Sequence, residues 1–155
     1  MIDGIEVIPL GRFEDARGWF AELRRDSKLP KHTLQTNLSF SRKGVIRGLH
    51  YHERGQDDLF ACLEGMARVV VLDRESGETF TADIGEDNFV AVYIPGRYAH
   101  GFEALSDLLF CYHVTEEYDP ADPDEHEIPW DDPRVKHLWS SQSPILSERD
   151  AAASS

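Results

Sequence analysis

Short strand-like runs separated by turn residues constrain the fold of this 155-residue chain more than any other feature. The runs are apolar or alternate between apolar and polar residues, and they recur roughly every ten residues, which is typical of antiparallel strands in a β-sandwich or barrel. Helical periodicity is scarce. We therefore predict an all-β fold with strands at residues 5–10, 59–63, 67–72, 79–84, 88–94 and 108–114.

The chain reads as one domain over residues 1–150, followed by a tail at 151–155 that we expect to be disordered. A helical turn is predicted at residues 26–31, cut short by Pro30. Residues 119–133 are rich in Asp and Pro and have no apolar period, so they form a loop in this prediction. Ile128 and Trp130 would pack that loop against the core.

Composition excludes several classes of function. The net charge of −13 argues against binding to nucleic acid, because contacts to phosphate backbones need a basic surface. No apolar run reaches the roughly 20 residues of a membrane span, and the N-terminus lacks the features of a signal peptide, so we expect a cytoplasmic protein with no membrane partner. Cys62 and Cys111 lie in apolar runs and are expected to be buried thiols rather than a disulfide.

Two histidine-bearing segments point to a pocket. The first, residues 47–52, reads RGLHYH and places His50 and His52 two residues apart, so that both would project from one face of a strand. The second, residues 94–102, reads IPGRYAHGF and carries His100 after a turn. Two such segments facing each other inside a barrel would bring three imidazoles together.

These segments belong to an ordered set of blocks that resembles the dTDP-4-dehydrorhamnose 3,5-epimerase family of sugar-nucleotide epimerases. The resemblance covers nearly the whole chain and implies a cupin jelly-roll barrel or sandwich with short helical turns, and a homodimer. The blocks are FEDARGWF at 13–20, QTN at 35–37, GVIRGLHY at 44–51, YIP at 93–95, AHGF at 99–102, LSD at 105–107, Tyr112, YDP at 118–120, WDDP at 130–133 and LSERD at 146–150.

The resemblance also implies a reaction and its residues. The substrate of the family is a nucleotide-linked 4-keto-6-deoxyhexose of the kind used in rhamnose and polysaccharide biosynthesis, and C3, C5 or both are inverted by deprotonation and reprotonation without a cofactor. His50 matches the base, Asp150 the carboxylate that orients it, and Tyr112 the opposing acid. The positions that match substrate contacts are Arg47 on the diphosphate, Gln35, Asn37 and His100 in the pocket, Tyr118 near the base, and Arg17, Phe20 and Glu22, which a partner subunit contributes.

Two positions depart from the family pattern. A lysine that helps to stabilise the enolate oxygen is replaced by Asp58, whose ionised carboxylate would repel the developing charge by several kcal/mol in a partly dry site. Arg68 is a candidate for the role of this lysine. An aromatic residue that usually precedes Tyr118 and stacks on thymine is replaced by Glu117, so a nucleotide base other than thymine, or a base held by Tyr118 alone, is the expectation.

Asp58 leaves other functions open. His50, His52, Asp58 and His100 resemble the metal ligands of other cupins, so a divalent metal ion is an alternative to a cofactor-free site. Such an ion could replace the missing lysine as the electrophile. Three alternative functions follow: a sugar-nucleotide 3,4-ketoisomerase, a metal-dependent cupin enzyme, and a sugar-nucleotide-binding homologue that has lost catalysis.

Overall fold

The computed structural model describes residues 2–154, and most of them lie in β-strands and the turns between them. Its regular elements are β1 (Glu6–Pro9), β2 (Phe13–Asp15), β3 (Gly18–Phe20), a 3₁₀ turn (Asp26–Lys28), β4 (Gln35–Ser41), β5 (Ile46–Tyr51), β6 (Asp57–Glu64), β7 (Met66–Leu72), β8 (Thr79–Gly85), β9 (Val90–Pro95), β10 (Ala99–Ala104), β11 (Leu108–Val114), β12 (His126–Glu127), a second 3₁₀ turn (Lys136–Leu138) and α1 (Glu148–Ala153).

Ten of these strands form two five-stranded antiparallel sheets. We call the sheet with the order β1-β9-β6-β11-β4 the first sheet, and the sheet with the order β12-β5-β10-β7-β8 the second sheet. Strands β2 and β3 pair only with each other in a short hairpin. The predicted all-β jelly roll is confirmed, and the crossovers between strands explain why neighbours in each sheet are distant in sequence.

The inner faces of the two sheets change character along their length. Aromatic and aliphatic side chains fill the interior at one end, where the rings of Phe102 and Phe110 stack at 3.9 Å. Because side chains alternate along a strand, the residues that follow this apolar row on the same faces are His100 on β10, Tyr112 on β11 and Asp58 on β6. The polar end of the interior is where a site can form.

A bulge in β5 sets the direction of two side chains at this end. Arg47 pairs with Phe102 and His50 pairs with His100, so β5 carries one more residue than β10 over this stretch. Gly48 absorbs the extra residue with φ of +141°, a backbone conformation that favours glycine. As a result Arg47 and His50, which would point to opposite faces of a regular strand, both reach the interior.

Segments that follow β11 cover the outer face of the second sheet. The loop at residues 119–133 packs on the second sheet through Ile128 and the buried Trp130, as predicted, although it also contains the short strand β12. The predicted disordered tail is wrong for residues 151–153, which belong to α1, and Ser154 is its C-cap; Ser155 lies outside the described residues. Cys62 and Cys111 are buried free thiols, as expected.

None of the described helices is long and apolar enough to cross a membrane. The six predicted strands are confirmed within about two residues at each end, and β5 was indicated by the histidine segment at 47–52, whereas β4, β10 and the β2–β3 hairpin were missed. The hairpin and β4 carry exposed aromatic or aliphatic side chains, and every residue of β10 is buried, so burial does not impose a clear alternation on these elements.

We expect Gly101→Ala to destabilise the fold by about 1–3 kcal/mol, the usual cost of overpacking. A methyl group at Gly101 would lie 2.8 Å from the Cα of Gly48 and would also meet the carbonyl of Arg47, so the bulge must move. Urea unfolding measures the loss. Gly11→Ala is the matched control, because its methyl group makes only ordinary contacts with Phe13; equal stabilities of the two variants would contradict the role given to the bulge.

Candidate active site

A cavity of about 830 Å³ opens at the polar end of the interior, within the size range of ligand pockets. Both sheets and the C-terminal segment contribute to its wall. Among the residues predicted from the sequence, those that line it are Gln35, Asn37, Arg47, His50, His52, Asp58, His100, Tyr112, Tyr118 and Asp150. The three imidazoles expected from the two histidine segments therefore do share one pocket.

His50 and Asp150 form a hydrogen-bonded pair on the wall of the second sheet. The Nε2 atom of His50 lies 3.0 Å from one carboxylate oxygen of Asp150, and the other oxygen accepts a bond of 3.4 Å from the amide of Gly48. Burial works to raise the pKa of Asp150, but the bond and charge of His50 outweigh it and lower that pKa. The carboxylate is thus ionised near neutral pH and can orient an imidazole base.

The C-terminal segment is tied down so that Asp150 reaches the cavity. Residue Ile145 exchanges backbone hydrogen bonds with Gly44 and Ile46, which fixes the approach of the chain. Ser147 then caps α1, with its hydroxyl accepting from the amide of Asp150. Finally, the guanidinium of Arg149 donates to Glu125, which precedes β12, and to Glu127 within β12.

Tyr112 faces the cavity from the first sheet, opposite the pair formed by His50 and Asp150. Burial and the nearby carboxylate of Asp58 raise the pKa of Tyr112. Its phenol therefore keeps its proton at neutral pH and is able to donate it. The cavity thus has an acceptor of protons on one wall and a donor on the other.

Asp58 is buried at the inner end of the cavity between two histidines. One oxygen lies 3.2 Å from Nε2 of His100, and the other lies 3.7 Å from Nε2 of His52 and accepts from the amide of Gln56 at 2.9 Å. Burial favours a raised pKa for Asp58 and a lowered pKa for His100, yet their mutual attraction reverses both shifts. Burial and the charge of His100 lower the pKa of His52.

Both ring nitrogens of His100 contact oxygen acceptors, the carbonyl of Tyr98 and the carboxylate of Asp58, and this arrangement favours the protonated ring. A protonated His100 offsets the charge of Asp58 and reduces the repulsion that the sequence predicted for a developing enolate. Arg68 does not take the place of the family lysine, because its guanidinium binds Asp83 and the carbonyl of Leu138 away from the cavity. His52 is buried, with only 6% of its surface exposed.

Three arginines on the cavity wall differ in how their charge is used. Arg54 pairs with Asp122, and Arg149 pairs with Glu125 and Glu127. Arg47 instead donates to neutral oxygens, the hydroxyl of Ser41 and the carbonyl of Phe40. Its positive charge thus remains available to an anionic ligand despite the acidic character of the chain.

The hairpin residues predicted to contact substrate do not line this cavity within the described chain. Arg17 pairs with Asp15, Glu22 pairs with Arg25, and Phe20 is exposed at the hairpin. The contribution of these three residues to the site of a partner subunit stays a prediction. Glu117, which replaces the expected aromatic residue, does line the cavity beside Tyr118.

Sequence reasoning missed the residues that hold the predicted ones in place. The carbonyl of Asp124 accepts from Nδ1 of His52 at 2.6 Å, and the amide nitrogen of Gln56 contacts both His52 and Asp58. A backbone carbonyl leaves no signal in a sequence. Gln56 lies two residues before Asp58, and that proximity was its only available signal.

Comparison with known proteins gives the family. The family model described as dTDP-4-dehydrorhamnose 3,5-epimerase matches residues 1–155. The chain belongs to the dTDP-4-dehydrorhamnose 3,5-epimerase family. This isomerase family accounts for the fold and for the order of the sequence blocks.

Individual members of the dTDP-4-dehydrorhamnose 3,5-epimerase family align along most of their length. The spore coat polysaccharide biosynthesis protein SpsL of Bacillus subtilis is 42% identical, covering 92% of this chain and 99% of SpsL. The dTDP-4-dehydrorhamnose 3,5-epimerase of Pseudomonas aeruginosa is 37% identical, with coverages of 89% and 83%. The structure of RmlC from Legionella pneumophila in complex with dTDP-4-keto-L-rhamnose superposes with a TM-score of 0.88 at 30% identity, covering 99% of this chain and 88% of that one.

We expect Arg149→Gln to loosen α1 and to release Asp150 from its place in the cavity. The variant loses the ion pairs with Glu125 and Glu127 that hold the short helix to β12. Hydrogen exchange should become at least about tenfold faster over residues 147–153, because a local opening costs less than before. Arg134→Gln is the control, since it removes an arginine paired with Asp132 at another surface; similar exchange at α1 in both variants would contradict the clamp.

Proposed function

We propose that this protein epimerises a nucleotide-linked 4-keto-6-deoxyhexose at C3, C5 or both. One observation carries the proposal: His50 on one sheet, paired with Asp150 of α1, and the phenol of Tyr112 on the other sheet face the same cavity. A carbon atom held between them has a proton acceptor on one side and a proton donor on the other. This arrangement suits the inversion of a carbon next to a ketone.

The proposed step balances without a redox partner. Neutral His50 takes the proton from the carbon beside the ketone, and the electrons of the C–H bond form the enolate. The hydroxyl of Tyr112 then gives its proton to the opposite face of that carbon, and the ketone is restored. Solvent returns a proton to Tyr112 and removes one from His50, while the carboxylate of Asp150 stabilises the transient imidazolium.

The remaining cavity residues are proposed to hold the nucleotide portion. Arg47 binds the diphosphate, because among residues 2–154 its guanidinium bonds to a hydroxyl and a carbonyl and to no carboxylate. Gln35 and Asn37 line the wall of the first sheet and are hydrogen-bonded to each other at 2.9 Å. Tyr118 is 57% exposed and offers a ring to the base, with Glu117 beside it in place of a second ring.

We also propose a cytoplasmic homodimer. The hairpin and the edge strand β4 expose large apolar side chains that a single chain leaves uncovered: Phe13, Trp19, Phe20, Leu38 and Phe40. Exposed apolar patches of this kind commonly mark protein interfaces, and an edge strand invites pairing. In such a dimer Arg17, Phe20 and Glu22 would complete the nucleotide site of the partner subunit.

Solvent deuterium exchange tests the proposed chemistry. Incubated in D₂O with dTDP-4-keto-6-deoxyglucose, the protein should place deuterium at the carbon atoms next to the ketone, as read by NMR and mass spectrometry. We expect His50→Asn to slow exchange and Tyr112→Phe to slow inversion of the carbon, each by about 100-fold or more, the usual contribution of a general acid or base. His32→Asn is the control, because His32 is a surface residue paired with Asp26.

Absence of exchange with dTDP-, GDP- and CDP-linked substrates would contradict the proposal and would leave a binding role. The NMR spectrum of the product separates an epimerase, which inverts a carbon, from a 3,4-ketoisomerase, which moves the carbonyl group.

The dimer is tested by replacing two hairpin residues that are exposed in the single chain. Phe13→Glu with Phe20→Glu should weaken dimerisation by at least about tenfold, because two carboxylates would have to be buried in the interface. Light scattering with size-exclusion chromatography measures the change. Val7→Glu, on the edge strand β1, is the control; an unchanged dimer in the hairpin variants would contradict this interface.

A further inference from the structure

Three metal-ligating side chains converge at the inner end of the cavity. One ligand atom from each of His52, Asp58 and His100 lies within 4.8 Å of the other two, and all three residues are buried. Both imidazoles approach Asp58 through Nε2. His50 is not part of this group: its Nε2 binds Asp150, and it groups instead with Asp150 and Glu127. The four-residue set suggested by the sequence is thereby reduced to three.

Both histidines are fixed with one nitrogen turned toward Asp58. The Nδ1 atom of His52 contacts the carbonyl of Asp124 at 2.6 Å, and the Nδ1 atom of His100 contacts the carbonyl of Tyr98 at 2.8 Å. A carbonyl accepts only from N–H, so Nδ1 of each ring carries a proton and Nε2 is the nitrogen left for a metal ion, which at His100 would displace the proton shared with Asp58. Such a contact to a backbone carbonyl is the usual support of a histidine that ligates a metal.

The three donors come from different parts of the fold. Asp58 lies on β6 of the first sheet, His100 lies on β10 of the second sheet, and His52 follows β5. A cation bound here would therefore join the two sheets. It would also face the cavity, since all three residues line its wall.

We propose that His52, Asp58 and His100 bind one divalent transition-metal ion. Two imidazoles and one carboxylate suit zinc, iron, manganese, cobalt or nickel, while calcium and magnesium prefer oxygen ligands. Gln56 is close enough to join them, because its amide group contacts His52 and Asp58 at 3.2 and 2.9 Å. Turning that amide over directs its oxygen toward the ion, and substrate or water completes the coordination.

A role for the ion rests on the proposed epimerase function. Asp58 stands where family members carry the lysine that stabilises the enolate oxygen. A divalent cation held by Asp58 restores positive charge at that point and can polarise the ketone of the substrate. The proton acceptor and donor remain His50 and Tyr112, which are outside the ligand set.

Titration of the purified, chelator-treated protein with Co²⁺ and Zn²⁺ tests the site. Calorimetry should give one ion per chain, and Co²⁺ should show d–d absorption bands. We expect His52→Gln and Asp58→Asn to raise the Kd by about 100-fold or more, since each removes a ligand. His50→Asn, which alters the other carboxylate–histidine group, and His32→Asn, which alters a surface histidine, should leave the Kd unchanged.

The measured affinities for Co²⁺ and Zn²⁺ decide whether the three residues form a metal site. If the unaltered protein binds no metal ion, the proposal is overturned, and a proton shared by His100 and Asp58 is what balances the charge of Asp58. Binding that survives both ligand variants, or that His50→Asn abolishes, also overturns it. Where Asp58→Asn fails to fold by circular dichroism, His52→Gln and the spectrum of Co²⁺ in the unaltered protein carry the test.

The metal site and the epimerase activity can fail independently. If the protein catalyses deuterium exchange but binds no metal, the proposed epimerase function stands and the metal site is rejected. If it binds a metal but catalyses no exchange, the metal site stands and its role in epimerisation is rejected.

Discussion

The hydrogen bond between His50 and Asp150 joins residues a hundred positions apart and closes the site. Without it the imidazole would lose a partner that orients it, and the C-terminal segment would keep only the bond from the amide of Gly48 to Asp150. The bond depends in turn on the bulge at Gly48, which turns His50 inward and offers the amide that Asp150 also accepts. Backbone geometry in one strand thus determines the position of a side chain contributed by the last helix.

The electrostatics of the cavity follow from how its charges are paired. Most arginines near the mouth are neutralised by carboxylates, which agrees with a chain of net charge −13. Arg47 is bonded to neutral oxygens instead, and Asp58 is compensated by His100 rather than by lysine or arginine. An acidic protein can in this way offer a local site to an anionic nucleotide sugar without a basic surface.

Much of this arrangement could be predicted from the sequence. The strands with strong apolar patterns were found within about two residues, because burial imposes their period. The family blocks indicated His50, Tyr112 and Asp150, and the structure brings all three to one cavity. The disordered tail was predicted wrongly, because α1 is held by Arg149 and the cap at Ser147, and such long-range contacts leave no local pattern. The inward turn of both Arg47 and His50 was equally hidden, since only the register with β10 reveals the bulge.

Neighbouring carboxylates at the start of β6 have separate tasks. Asp58 faces the cavity, whereas Asp57 lies on the opposite face, where it accepts from the hydroxyl of Tyr93 and the amide of Gly96 and pairs with Lys31. Strand periodicity makes the two positions exchange places whenever the strand slips by one residue. The exposed segment between His52 and Asp57 is therefore intolerant of insertions and deletions although its surface position would suggest freedom, and natural variation there should consist of replacements that preserve its length.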